Sequence, residues 1–127
     1  MSLTSLSTLN IQPIAQPLSG RVRVPGSKSH TNRTLMVAAL ADGATEIHNA
    51  LFSDDSHYFA EALRKLGFDV QLDPQAKIMT LTGLGGHIPN KQANILIGNA
   101  GTAARFLTAM LTLGQGEYHL DGVKRMR

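Results

Sequence analysis

Three short stretches of this 127-residue chain concentrate residue types that grip anions. The first is Gly26-Ser27-Lys28-Ser29-His30-Thr31-Asn32-Arg33. Its glycine lets backbone approach a ligand closely, and a helix starting just after it offers free N–H groups and the positive end of a dipole. Lys28 adds a point charge beside that end, and Arg33, one turn on, can hold a carboxylate through two parallel hydrogen bonds. Ser29 reads either as the helix N-cap or as a ligand donor. The bland alternative leaves Lys28 and Arg33 in solvent. The Gly-x4-Gly-Lys-Ser/Thr frame of a P-loop is absent, so the stretch does not support ATP or GTP binding. The second stretch is Gly98-Asn99-Ala100-Gly101-Thr102-Ala103-Ala104-Arg105. Its small residues bring backbone close either to a ligand or to a packed neighbour, and N–H groups around Gly101 and Thr102 suit a phosphate. The third, Lys124-Arg125-Met126-Arg127, follows the turn Asp121-Gly122 and reads by itself as a solvated basic run.

Alternating and helical patterns supply the elements that must position these stretches. Alternation predicts strands over residues 8–11, 21–24 and 45–48, and again over 68–72 and 77–81, joined by the turn Asp73-Pro74. Further strands are expected at 94–97 and 117–120. Helical spacing of Leu35, Met36, Ala39 and Leu40 predicts a helix over 29–41, with Gly43 as its stop. Ser53-Asp54-Asp55-Ser56 is an N-cap signal for a second helix that buries Phe59, Leu63 and Leu66 and ends at Gly67. A third helix is expected over 102–113. The order is that of a mixed α/β protein. An internal repeat underlies it: Gly26 to Arg33 and Gly98 to Arg105 share a Gly-x6-Arg frame at an offset of 72 residues, and Leu35 matches Leu107 at the same offset. Each copy sets a glycine turn between a strand and a helix, and such units stack on further copies to complete a core. The shared frame favours a ligand role for both turns over coincidence.

Bulk properties narrow the partners. With 43% hydrophobic and 17% charged residues the composition is that of an ordinary globular protein. There is no cysteine, which removes disulfides, thiolate metal sites and a cysteine nucleophile. The net charge of +3 with only 5% aromatic residues favours small anions over nucleic acid. The longest apolar run, Leu35 to Ala41, is too short to span a bilayer, and the first ten residues lack the basic start and apolar region of a secretory signal.

Taken together, Pro25-Gly26-Ser27-Lys28-Ser29-x-x-Asn32-Arg33, then Gly98-Asn99-Ala100-Gly101-Thr102-Ala103-x-Arg105, then Arg125-Met126, resemble the EPSP (5-enolpyruvylshikimate-3-phosphate) synthase family of enolpyruvyl transferases. Leu51-x-Ser53-Asp54-Asp55 and Ala62-Leu63-x-x-Leu66-Gly67 also fit, so the likeness runs over nearly all of the chain from residue 8. Thr31 stands where the family usually has serine, with its hydroxyl retained, and Phe106 stands where many members have proline. The sister family acting on UDP-N-acetylglucosamine is similar in fold, but it commonly uses a cysteine and lacks the Lys-Ser-x-x-Asn-Arg spelling. It ranks a distant second.

The resemblance implies a fold of α/β (α+β) class built from repeated βαβαββ units, two domains in the whole protein, and a site that forms between them. Residues 1–17 would cross to the second domain, and 18–127 would form an incomplete first domain. It implies a cytoplasmic transferase of the shikimate pathway of aromatic amino acid biosynthesis. That activity moves the enolpyruvyl group of phosphoenolpyruvate to shikimate 3-phosphate without metal or other cofactor, and glyphosate is a known inhibitor in the family. Lys28 would lie between the two substrates as the catalytic cation. Ser29 and Arg33 would hold the shikimate carboxylate, Gly101 and Arg125 the phosphate of phosphoenolpyruvate, while Asn99 and Arg105 would brace that turn. Asp54 and Asp55 would cap a helix and stand near Lys28; the five histidines show no metal-ligand spacing. The expected partners are those two substrates and the remainder of the chain, with no nucleic acid and no membrane. Residues 1–127 alone are expected not to turn over. A non-catalytic anion-binding module is the reading from a different class.

Overall fold

The computed structural model describes residues 8 and 10–127. In chain order it contains α1 (Lys28–Leu40), β1 (Asp42–His48), α2 (Asp54–Lys65), β2 (Val70–Asp73), β3 (Ile78–Leu84), β4 (Gln92–Leu96), α3 (Gly101–Leu111), β5 (Glu117–Asp121) and a 3-10 turn at Lys124–Met126.

Local chemistry accounts for the helix boundaries. Ser27, not Ser29, caps α1: its extended backbone precedes Lys28 and its hydroxyl accepts from the His30 N–H at 3.4 Å. Ser29 is therefore an exposed residue of the first turn, which removes the N-cap alternative. Gly43 does not stop this helix. Ala41 is its C-cap, and Gly43, at φ +100°, lies inside β1. Ser53 and Ser56 form a reciprocal capping box at the start of α2, where Asp54 and Asp55 complement the dipole and Arg64 and Lys65 close the last turn. Gly67 follows at φ +97°, the left-handed position expected after a helix end.

Two sheets share one core. The first is antiparallel, ordered β1-β3-β2, with Asp42 opposite Leu84 and Val70 opposite Leu81. Its β2–β3 hairpin turns where Asp73 Oδ1 accepts the N–H groups of Gln75 and Ala76 at 3.0 and 2.9 Å. The second is the parallel pair β4-β5, in register from Gln92–Glu117 to Leu96–Asp121, with α3 as the crossover. Leu35, Phe59, Leu63, Leu66, Met79, Leu81, Leu107 and Met110 are fully or almost fully buried in a single cluster. Phe106 turns its ring toward Phe59 at 6.4 Å, so the residue that departs from the family pattern packs α3 onto α2.

Two expected strands are not formed. Leu9 lies outside the described residues, while Thr8, Asn10 and Ile11 carry no regular structure; Arg21–Val24 is likewise no strand, with Val22 and Val24 exposed at 85% and 70%. Alternation selects a face but not a partner, and a strand exists only where a neighbour completes its hydrogen bonds. The repeat is thus full in its second copy, as β4-α3-β5, and shows only helix and following strand in its first.

Close packing of α1 on the sheet depends on Gly83. A Cβ there would overlap the carbonyl oxygens of Ala38 and Ala41, and the latter already accepts the Gly85 N–H at 2.8 Å. Helix and strand backbones cannot both yield, so Gly83→Ala is expected to destabilise the fold by about 1–3 kcal/mol. The midpoint of chemical denaturation measures this, and an unshifted midpoint would contradict the packing described.

Candidate anion-binding site

All three helices begin at the same end of the molecule, and side-chain contacts show it. Lys28, the first residue of α1, pairs through Nζ with Asp55 Oδ2 at 3.0 Å, and Asp55 is the second residue of α2. On the same helix start, the Tyr58 ring lies so close to Gly98 that a Cβ on that glycine would overlap Cε2 and Cζ. Gly98 opens the turn leading into α3. Three positive dipole ends are thereby gathered with the cations of the chain's first and last motifs.

The first turn is locked to its surroundings on the side away from solvent. Thr31 accepts the Leu51 N–H on its Oγ1 at 2.9 Å, tying α1 to the loop before α2. This bond explains why a hydroxyl is needed at that position. Gly26 is equally constrained, since a Cβ would overlap the Asn49 carbonyl and reach within 2.9 Å of the Leu51 nitrogen. Asn32 is fully buried, and neither its Oδ1 nor its Nδ2 has a hydrogen-bond partner among the described residues. With the inner face of the helix so fixed, Lys28, Ser29 and Arg33 remain on the exposed side.

The second turn differs from the other two helix starts in its capping. Ala100 is the N-cap of α3 and makes no side-chain cap bond, whereas Ser27 and Ser53 cap α1 and α2. The Gly101 N–H reaches back to the Asn99 carbonyl at 3.2 Å, a long bond across a three-residue turn, and Gly101 and Asn99 are exposed. First-turn N–H groups of α3 are therefore without a side-chain acceptor. Arg105 is exposed one turn further along.

The basic run is joined to this turn by backbone. Ile97 N–H donates to the Asp121 carbonyl and Val123 N–H to the Gly98 carbonyl, both at 2.9 Å. Arg125, in the 3-10 turn that follows, is thus carried beside the glycine turn. Arg127 is committed elsewhere: its Nε donates to Asp121 Oδ1 at 3.0 Å and its Nη2 to Oδ2. The guanidinium bond, followed by the Gly122 N–H, holds the Asp121 carboxyl below the ordinary aspartate range. A depressed carboxylate keeps its partner above its unfolded value and loses it only as pH falls through the lowered one, so this clamp is intact at neutral pH. The basic run is exposed throughout, as it reads by itself, and within it Arg127 is paired with Asp121 while Lys124 and Arg125 are not paired with a carboxylate among the described residues. Tyr58 was not marked by any sequence motif. The signals available were its spacing of three from Asp55 and the presence of a glycine, Gly98, able to accept a ring.

Fold and site together define a mixed α/β protein that presents positive charge and helix N-termini at one end. The sequence model of the family described as EPSP synthase (3-phosphoshikimate 1-carboxyvinyltransferase) matches residues 13–127, and the chain belongs to that family. Relatives named 3-phosphoshikimate 1-carboxyvinyltransferase from Trichormus variabilis and from Nostoc sp. are each 52% identical over 122 residues, covering 96% of this chain and 29% of theirs. One from Thiobacillus denitrificans is 51% identical over 108 residues. The solved EPSP synthase from Acinetobacter baumannii superposes with a TM-score of 0.73 at 30% identity, over 83% of this chain and 24% of that one. The chain thus spans about 29% of the length of the curated relatives it matches.

Proposed function

We propose that these residues form the half-site of an enolpyruvyl transferase that binds phosphoenolpyruvate and shikimate 3-phosphate and joins them with release of phosphate. The observation that carries this reading is that α2 meets both turns, Asp55 pairing with Lys28 and Tyr58 packing on Gly98, which leads into the uncapped start of α3 and whose carbonyl accepts the Val123 N–H just before Arg125. Both substrates are polyanions, and this end of the molecule offers a cation, open N–H groups and exposed guanidinium groups to them.

In the proposed mechanism the 5-hydroxyl of shikimate 3-phosphate gives up its proton to a base as its oxygen bonds to C2 of phosphoenolpyruvate, the C2–C3 double bond opens and C3 takes a proton from an acid. The adduct then loses a C3 proton and expels phosphate as the C2–O bond to phosphorus-bearing oxygen breaks. Lys28 balances the charge that grows between the two substrates. Ser29 and Arg33 hold the shikimate carboxylate; Gly101 backbone and Arg125 hold the phosphate that leaves, with Asn99 and Arg105 bracing the turn. Asp55 is engaged with Lys28, and the resemblance to the family assigns the proton transfers to residues outside 1–127. Membership of the EPSP synthase family supports a cytoplasmic location for the whole protein. No helix among the described residues is long and apolar enough to cross a membrane.

The test is a phosphate-release assay with both substrates. The complete polypeptide carrying these residues is expected to release one phosphate per enolpyruvyl ether formed, and purified 1–127 none. Binding of either substrate without turnover by the complete polypeptide would favour an anion-binding module instead.

A further inference from the structure

We propose that Tyr58 is a positioning residue that holds the glycine turn in its phosphate-binding shape; this rests on the reading of that turn given above. The contact is between a flat ring and bare backbone. Gly98 has a left-handed φ of +56°, and the ring lies over it where any side chain would sit, with Cδ2 only 2.8 Å from the place of a Cβ. On the other side, the Gly98 carbonyl accepts the Val123 N–H at 2.9 Å and lies 2.9 Å from the place of a Cβ on Gly122. Gly98 is thus clamped between the ring and the segment that carries Arg125.

That clamp matters because the turn has little else to fix it. Residues 98–101 contain two glycines and no side-chain cap, and their internal bonds are the Ala100 N–H to the Ile97 carbonyl at 2.9 Å and the long Gly101 to Asn99 bond. Glycine-rich backbone has many conformations to lose, and a rigid wall lowers the entropy that phosphate binding would otherwise cost. Asp55, three residues earlier on the same helix, grips Lys28. One turn of α2 therefore sets the Lys28 helix start and the glycine turn relative to each other. The three Tyr58 atoms nearest the place of that Cβ are all ring carbons.

The experiment measures KM for phosphoenolpyruvate and for shikimate 3-phosphate in the complete polypeptide, with Tyr58→Phe, Tyr58→Leu and Tyr58→Ala. The Phe variant is expected to match the parent. The Leu and Ala variants are expected to raise KM for phosphoenolpyruvate by about tenfold, with KM for shikimate 3-phosphate within about twofold. Leucine keeps apolar volume at the site, so it reports even where the alanine variant folds poorly. Equal changes in both KM values, or a loss of thermal stability with neither KM altered, would make Tyr58 a packing residue and overturn the inference. A parent protein that fails to bind phosphoenolpyruvate would overturn the reading of the turn itself, and the inference with it.

Discussion

Replacing Lys28 by methionine in the complete polypeptide is expected to lower turnover by about 10²–10³-fold while barely changing the melting temperature. The two effects separate because the Lys28–Asp55 pair is partly in water, with side chains 48% and 21% exposed. Such a pair contributes about 0–1 kcal/mol to folding, and methionine preserves the aliphatic stem. For the proposed chemistry the loss is larger, since no other cation of the chain is placed as the first residue of α1. Removing it also leaves Asp55 as an uncompensated negative charge beside two polyanions. The double variant Lys28→Met with Asp55→Asn should therefore recover part of the substrate binding but little of the turnover. Steady-state kinetics with both substrates measure this, and turnover within threefold of the parent in Lys28→Met would remove Lys28 from the mechanism.

Gly101→Ala is expected to weaken phosphoenolpyruvate by at least about tenfold and to leave shikimate 3-phosphate unchanged. The structure makes this substitution a clean probe of the ligand. A Cβ on Gly101 meets nothing within 4 Å, and the residue is the exposed first position of α3. Folding should be unharmed, or favoured by about 0.4–1 kcal/mol as the unfolded chain loses freedom. Any loss of affinity then comes from a methyl group standing where a phosphate must approach backbone. Glyphosate, if it shares that place, should weaken in parallel. Gly98→Ala is the contrast, because there the methyl group would strike the Tyr58 ring and the fold itself would suffer. Isothermal titration of the Gly101 variant settles the matter, and unchanged affinity for phosphoenolpyruvate would refute the placement of its phosphate.

Much of the fold could be read from local pattern wherever the cause was local. The N-cap signal at Ser53–Ser56, the end of α2 at Gly67 and the turn at Asp73-Pro74 each need only a few neighbouring residues, and each stands as expected. The strand at 21–24 failed for the opposite reason: its alternation is real, but its hydrogen bonds need a partner that alternation cannot name. The choice between Ser27 and Ser29 as cap also escaped pattern, because either serine could start the helix. Packing of Gly26 against the Asn49 carbonyl and the Leu51 nitrogen helps set where the turn ends.

By itself the sequence determined the family, the positions of the two repeat-related turns and the identity of the cations at them. Those depend on residue type and spacing along the chain, which are one-dimensional facts. Only the tertiary structure decided that α2 joins the two turns, through Asp55 on Lys28 and Tyr58 on Gly98, and that Arg127 pairs with Asp121. Lys28 and Gly98 lie 70 positions apart, and their common contact with one turn of helix arises from packing around a shared core. Distance along the chain carries no information about such a meeting, because the free energy that enforces it belongs to buried area gathered from every element at once.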